Sequence, residues 1–339
     1  MYKDILLKDE YSFLKSNKHL GDNIQLLALG GSHAYGMNKE GSDLDIRGMS
    51  LNSKSEILLG NDFEQVEDRG TDTVIYSSNK LIKLLTDCNP NVIEILGCRP
   101  EHYLHIGKVG RLLLDNKRLF LSKVCIYTFG GYATSQLRRL ENKSARSLQQ
   151  SEFEAHILES IENARFSFKE RYFPMEDDSV NLYIDDSTQD SLDSEIFMDL
   201  NLHKYPLRDW VDMWSEMKSI VRSYNKIGKR NESAISHGKL GKHMAHLLRL
   251  YMMCIDILEK EEIITYRENE HDLLMKVRNG EFLDSNSQPT SDFYDILNDY
   301  KKRFDYAKEN TSLPDVPDRK SIEDFKIYIN DGIVKGELL

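Results

Sequence analysis

Cysteine is scarce in this chain: Cys88, Cys98, Cys125 and Cys254 are the four among 339 residues, and no two form a CxxC pair. That scarcity excludes a secreted disulfide framework and offers no thiol pair for zinc or redox chemistry. In a reducing compartment such residues serve as small buried hydrophobes. Long apolar runs are missing too. No stretch approaches the ~18 apolar residues of a membrane helix, and short patches such as Leu26 to Leu29 are the rule. The start, Met1-Tyr2-Lys3-Asp4, lacks the charged-then-apolar layout of a signal peptide, so a cytoplasmic protein with no membrane partner is expected. Positive charge is in deficit: 45 Lys+Arg face 56 Asp+Glu, a formal net charge of -11. A general coat on long nucleic acid is disfavoured, although a local basic groove escapes that average. Neither GxxxxGK nor GxGxxG occurs, which leaves a P-loop NTPase and a Rossmann dehydrogenase without support.

What remains is a chain long enough for two domains, or one large one, with 40% hydrophobic residues and hence a real core. The first hundred residues read as mixed α/β. Asn23 to Leu29 is an apolar run feeding Gly30-Gly31-Ser32, a buried strand entering a tight turn. Ser42 to Met49 alternates as a strand with one wet face, and Thr71 to Ser77 is a third strand by its β-branched content. Ser78-Asn79 reads as a helix cap before Lys80 to Leu85, and Asn89-Pro90-Asn91 breaks that helix ahead of a short one at Val92 to Leu96. From about residue 110 the period becomes helical, over Leu112 to Cys125, Thr128 to Arg146, Glu152 to Phe168, Val211 to Ile227 and Lys239 to Lys260. Pro174 to Glu195, rich in acids, reads as an exposed hairpin or loop between helices. The expected fold is therefore α+β: a small mixed β-sheet head over residues 1–108 and a larger helical body over 109–339.

The stretch that carries chemistry is Leu29-Gly30-Gly31-Ser32-His33-Ala34-Tyr35-Gly36, followed by Gly41-Ser42-Asp43-Leu44-Asp45-Ile46-Arg47-Gly48. Asp43 and Asp45 lie two apart on an expected strand, so both carboxylates leave one face. Two acids that close repel, and a divalent cation such as Mg²⁺, with its preference for hard oxygen ligands, relieves the repulsion. Gly31 and Ser32 offer a flexible backbone and a hydroxyl to phosphate oxygens. Arg47 shares the face of the acids and can neutralise phosphate or simply pair with them. Alone, an Asp-x-Asp is more often a capped turn, and a Gly-Ser more often just a turn. Jointly they describe a site for a metal-bound nucleoside triphosphate.

The joint pattern, a strand, Gly-Ser, ten residues, then Asp-x-Asp on a second strand, resembles the signature of the DNA polymerase β-like nucleotidyltransferase superfamily. Within it the chain is most similar to a bacterial and phage family of nucleotidyltransferases linked to RNA repair. Gly131 to Leu137, Lys242 to Leu250 and Val277 to Glu281 look like further stretches of that family. The resemblance implies two Mg²⁺ ions held by three acids, with attack of a hydroxyl on the α-phosphate of an NTP and release of pyrophosphate. It assigns Asp43 and Asp45 to the metals and to catalysis, and Gly31, Ser32 and Ser42 to the nucleotide. The third acid is expected on the neighbouring strand, where Asp72 is best placed and suits the role of proton acceptor. Lys242, His246 and Arg249 fall at i, i+4 and i+7 on one helix face. Spacing alone suggests a solvated stripe or, for His246, a satisfied core histidine, and the resemblance turns the stripe into a nucleotide-facing one. Tyr132, Gln136 and Arg139 repeat the geometry on an earlier helix. His243 and His246 lack further ligands nearby in sequence, so zinc is not expected. The implied acceptor is an RNA or tRNA end. A small-molecule or protein hydroxyl is the rival, as are a glycosyltransferase using Asp-x-Asp and a silent NTP-binding module.

Overall fold

The structure is a computed structural model that describes residues 2–145, 179–186, 194–225, 237–285 and 287–338. Its centre is a five-stranded mixed sheet built from β1 (Ile24–Leu29), β2 (Ile46–Ser50), β3 (Gln65–Asp68), β4 (Thr73–Ser77) and β5 (Tyr103–Ile106), in the order β3-β4-β2-β1-β5. β1 runs antiparallel to both β2 and β5, β2 pairs parallel with β4, and β3 closes the far edge antiparallel to β4. Every residue of β1 is buried, as a near-continuous apolar run requires of a strand covered on both faces. A short helix α1 (Phe13–Ser16) sits N-terminal to the sheet, and its Leu14 joins the cluster of Ile24, Leu27, Leu29, Ile46 and Ile75 that forms the core of the head.

Local chemistry explains the helices beside the sheet. In α3 (Lys54–Leu59) Ser53 and Glu56 form a reciprocal capping box. In α4 (Ser78–Thr86) the Ser77 hydroxyl accepts from the Lys80 amide, and in α5 (Pro90–Ile93) the Asn89 side chain caps while Pro90 takes the first turn. The helix expected over Leu112 to Cys125 is broken. Here α6 (Lys108–Asp115) stops at Asn116, whose side chain donates to the Leu112 carbonyl, and α7 (Val124–Ala145) starts afresh.

Two further expectations at the motif are corrected. Gly31-Ser32 is the first turn of a short helix, α2 (Gly31–Tyr35), rather than a bare turn. The second strand begins at Ile46, not Ser42. Gly41 adopts φ +77° and the Ser42 hydroxyl accepts from the Lys39 amide, a turn that holds residues 42 to 45 outside the sheet. Asp43 and Asp45 therefore sit on the loop entering β2.

The polypeptide divides into two compact units. The first comprises residues 1–137, 241–281 and 291–339; besides the sheet it holds most of α9 (His237–Lys260), α10 (His271–Asn279), α11 (Ser291–Asn310) and α12 (Arg319–Lys335). The middle of α9, from Met244 to Leu258, is almost wholly buried within it. The second unit comprises residues 138–240 and 282–290. It contains α8 (Leu207–Asn225) and a hairpin of β6 (Val180–Asp186) and β7 (Ser194–Leu200), which runs five residues past the expected limit at Glu195. The helix expected over Glu152 to Phe168 lies outside the described residues. No helix among the described residues is long and apolar enough to cross a membrane.

Candidate functional site

The site starts where β1 ends. The Gly30 amide donates to the Asp45 carbonyl at 2.8 Å, which brings the loop before β2 against the start of α2. Gly31 follows with φ +54°, a conformation that favours glycine. A β-carbon on it would lie 1.6 Å from Oδ2 of Asp45. The room that glycine leaves here is thus taken by a carboxylate. Asp45 is held there mostly out of solvent.

Beside it, Asp72 sits in the turn before β4, with φ +46°. The Asp72 carbonyl accepts from the Ile46 amide at 3.3 Å, tying this turn to the start of β2. The two carboxyl groups share a hydrogen bond. Burial, then this bond and the charge of Asp72, push the Asp45 carboxyl up to about 7. Asp72 moves the other way: chiefly the bond from Asp45, then the Arg47 guanidinium, hold it below its ordinary value. Of the two, Asp45 holds a proton to the higher pH and Asp72 gives one up more readily. Two close acids accommodate one another in this way.

Two cations attend the pair. Arg47 Nη2 lies 3.2 Å from Asp72 Oδ1 and 3.7 Å from Asp45 Oδ1, while Nη1 donates to the carbonyls of Asp72 at 2.5 Å and Ile46 at 3.0 Å. Lys242, exposed in the first turns of α9, lowers the pKa of both acids by its charge. The neighbouring Gly241 is packed so tightly that a β-carbon would meet the carbonyls of Val277 and Arg278 at 2.7 and 2.6 Å. The Lys242 and Val277 stretches singled out in the sequence therefore meet at this point.

The remaining expected residues divide. Ser42 forms the turn described above, and its carbonyl lies 3.4 Å from His33 Nε2. Asp43 is exposed on the loop. Among the described residues no group of three or more His, Cys, Asp or Glu side chains is placed to hold a metal. Arg249 is not on a nucleotide-facing surface: it is 2% exposed, with Nη1 3.1 Å from Glu94 Oε2 and its guanidinium 3.5 Å over the ring of Tyr35. Arg249 Nη2 meets His246 Nδ1 at 3.1 Å, and because a guanidinium only donates, Nδ1 is the acceptor. Tyr132 approaches the His246 ring edge-on at 5.4 Å, Gln136 is buried, and the Arg139 side chain lies outside the described residues.

Sequence reasoning missed Glu94 and Tyr35. Tyr35 ends α2, and its hydroxyl lies 2.8 Å from both carboxylate oxygens of Glu94. The signal was present as a single acid inside the apolar run Val92-Ile93-Glu94-Ile95-Leu96. A charge in such a place is buried and must be paired.

Residues 9–161 match a family model described as RNA repair pathway DNA polymerase beta family. The resemblance carried by the motif is thereby shown over a segment that contains Gly31, Ser32, Asp43, Asp45 and Asp72 and ends before Lys242. It supports a nucleotidyltransferase-type role in RNA repair. No curated protein and no solved structure matches the chain.

Proposed function

We propose that the protein is a cytoplasmic, Mg²⁺-dependent nucleotidyltransferase that moves a nucleoside monophosphate from an NTP to a hydroxyl at an RNA or tRNA end. The observation that carries this reading is the Asp45–Asp72 pair, pressed against Gly31 and attended by Arg47 and Lys242. Two carboxylates forced to share one proton are a fitting donor set for a hard cation, which replaces that proton without the repulsion. Asp43, on the same loop, is the third ligand of the proposal. When bound, Mg²⁺ would polarise the α-phosphate and lower the pKa of the attacking hydroxyl.

The chain's own residues do the rest. Arg47 and Lys242 offset the charge of the triphosphate, while Gly31, Ser32 and Ser42 line its approach. The acceptor oxygen forms a bond to the α-phosphorus, the bond to the β-phosphate oxygen breaks, and pyrophosphate carries away that electron pair. The acceptor proton passes to Asp72, whose carboxylate is the more exposed of the pair.

The test is incubation with each α-labelled NTP, Mg²⁺ and RNA bearing free hydroxyl ends. Label entering RNA with an equal yield of pyrophosphate, and neither product with Asp45→Asn, is the expected result. Release of a nucleoside diphosphate, or no transfer with any NTP and RNA, would overturn the reading.

A further inference from the structure

A buried charge cluster that the transfer chemistry does not use joins the end of α2 to α9. Its core is the pair Glu94 and Arg249, with side chains 8% and 2% exposed. Such a pair is weak support for stability: desolvating two charges costs about as much as their attraction returns, and apolar residues of like volume commonly serve as well. Its better-attested use is to fix the register of elements that could otherwise slide.

The register it fixes is informative. Tyr35 closes α2, four residues after Gly31; Glu94 belongs to the segment after α5; Arg249 belongs to α9, seven residues after Lys242. The Tyr35 hydroxyl donates into the Glu94 carboxylate, the Tyr35 ring covers the face of the Arg249 guanidinium, and the edge of that guanidinium meets Glu94 and His246. Face and edge together determine where the planar group stands. Seven residues are two helical turns, or ~10 Å along the same stripe of α9. Setting the rotation and height of α9 at Arg249 sets where Lys242 emerges, one residue past Gly241 and its packing against the Val277 and Arg278 carbonyls, and from there its charge acts on Asp45 and Asp72.

We propose that Glu94 and Arg249 are positioning residues that aim Lys242 at the nucleotide, an inference that rests on the nucleotidyltransferase reading above. They touch no substrate. A double-mutant cycle separates this role from plain stability, with binding of Mg²⁺ and a non-hydrolysable ATP analogue measured by calorimetry. Lys242→Ala should weaken binding about 10- to 100-fold, as the loss of a charge-assisted contact does. In the wild-type background Arg249→Lys should weaken it about fivefold or more, whereas in the Lys242→Ala background it should change binding less than about twofold. Glu94→Gln, which keeps the shape and the Tyr35 hydrogen bond, should repeat the pattern if Arg249→Lys folds poorly. Melting temperatures of these variants should fall equally in both backgrounds.

Equal factors in both backgrounds would overturn the positioning role and leave the reading of the site intact. An unchanged constant in Lys242→Ala would overturn it too, since there would be no contact to aim. Label transfer by the wild-type protein decides the reading itself independently of either outcome.

Discussion

The carboxylate of Asp45 stands where a side chain on Gly31 would begin, with Oδ2 1.6 Å and Cγ 2.6 Å from the position of a β-carbon. Glycine at residue 31 thus serves the acid at least as directly as it serves a phosphate. Gly31→Ala should displace Asp45 and also force a left-handed backbone on an L-residue, at a cost of about 1–2 kcal/mol for the backbone alone. Gly31→Val should be no milder. Both variants should melt lower than wild type and lose affinity for Mg²⁺ with an NTP analogue, whereas Ser32→Ala should cost only about 0.5–1.5 kcal/mol of binding. Calorimetric titration of the three variants checks the order.

The shared proton makes metal-free stability depend on pH. Asp45 titrates near 3.8 when unfolded and at about 7 in the folded protein. A raised carboxyl pKa means that the native state binds the extra proton. The stabilisation from that proton is therefore complete below pH ~4 and is lost as pH climbs towards about 7. The depressed pKa of Asp72 acts in the opposite direction, and its contribution is lost in acid. Denaturant melts of metal-free protein between pH 5 and 8 should show falling stability in wild type and a flatter profile in Asp45→Asn, other groups being common to both.

Arg47 bridges the pair and holds the Asp72 turn through its carbonyl. Removing it as Arg47→Ala should raise the midpoint of Asp45 further, since the guanidinium lowers it now. Carboxyl-carbon NMR titration of wild type and variant reads this shift. A midpoint that falls or stays put would mean that the guanidinium does not act on Asp45.

Much of the head was legible because its signals are local. β1 announces itself as an apolar run before two glycines, and Ser77 and Asn89 cap helices in the way their side chains favour. Alternation of polar and apolar residues makes the Asp-x-Asp loop look like strand, because it does not reveal the turn at Gly41 and Ser42 that precedes β2. Arg249 was misplaced for a different reason. Spacing puts it on one stripe with Lys242, but that stripe runs from exposed to buried along α9. Its partner Glu94 is 155 residues away in sequence, where no local rule reaches.

The buried pair should also show itself in stability. Glu94→Ala would leave the Arg249 guanidinium without its carboxylate in the core and should cost about 3–5 kcal/mol. Glu94→Gln should cost clearly less, because it still accepts from Tyr35 and Arg249. Urea melts of both variants give the comparison. Equal and small losses would show that Arg249 finds another partner.

Mn²⁺ binding, followed by electron paramagnetic resonance of the free ion, shows whether Asp45 and Asp72 act as one cation-binding pair. Wild-type protein with a non-hydrolysable NTP analogue should take up Mn²⁺ beyond what the analogue binds alone. Asp45→Asn and Asp72→Asn should each abolish that extra uptake while still melting cooperatively. If either variant binds Mn²⁺ with wild-type affinity and stoichiometry, the pair is not the metal site and the account of the reaction built on it is wrong.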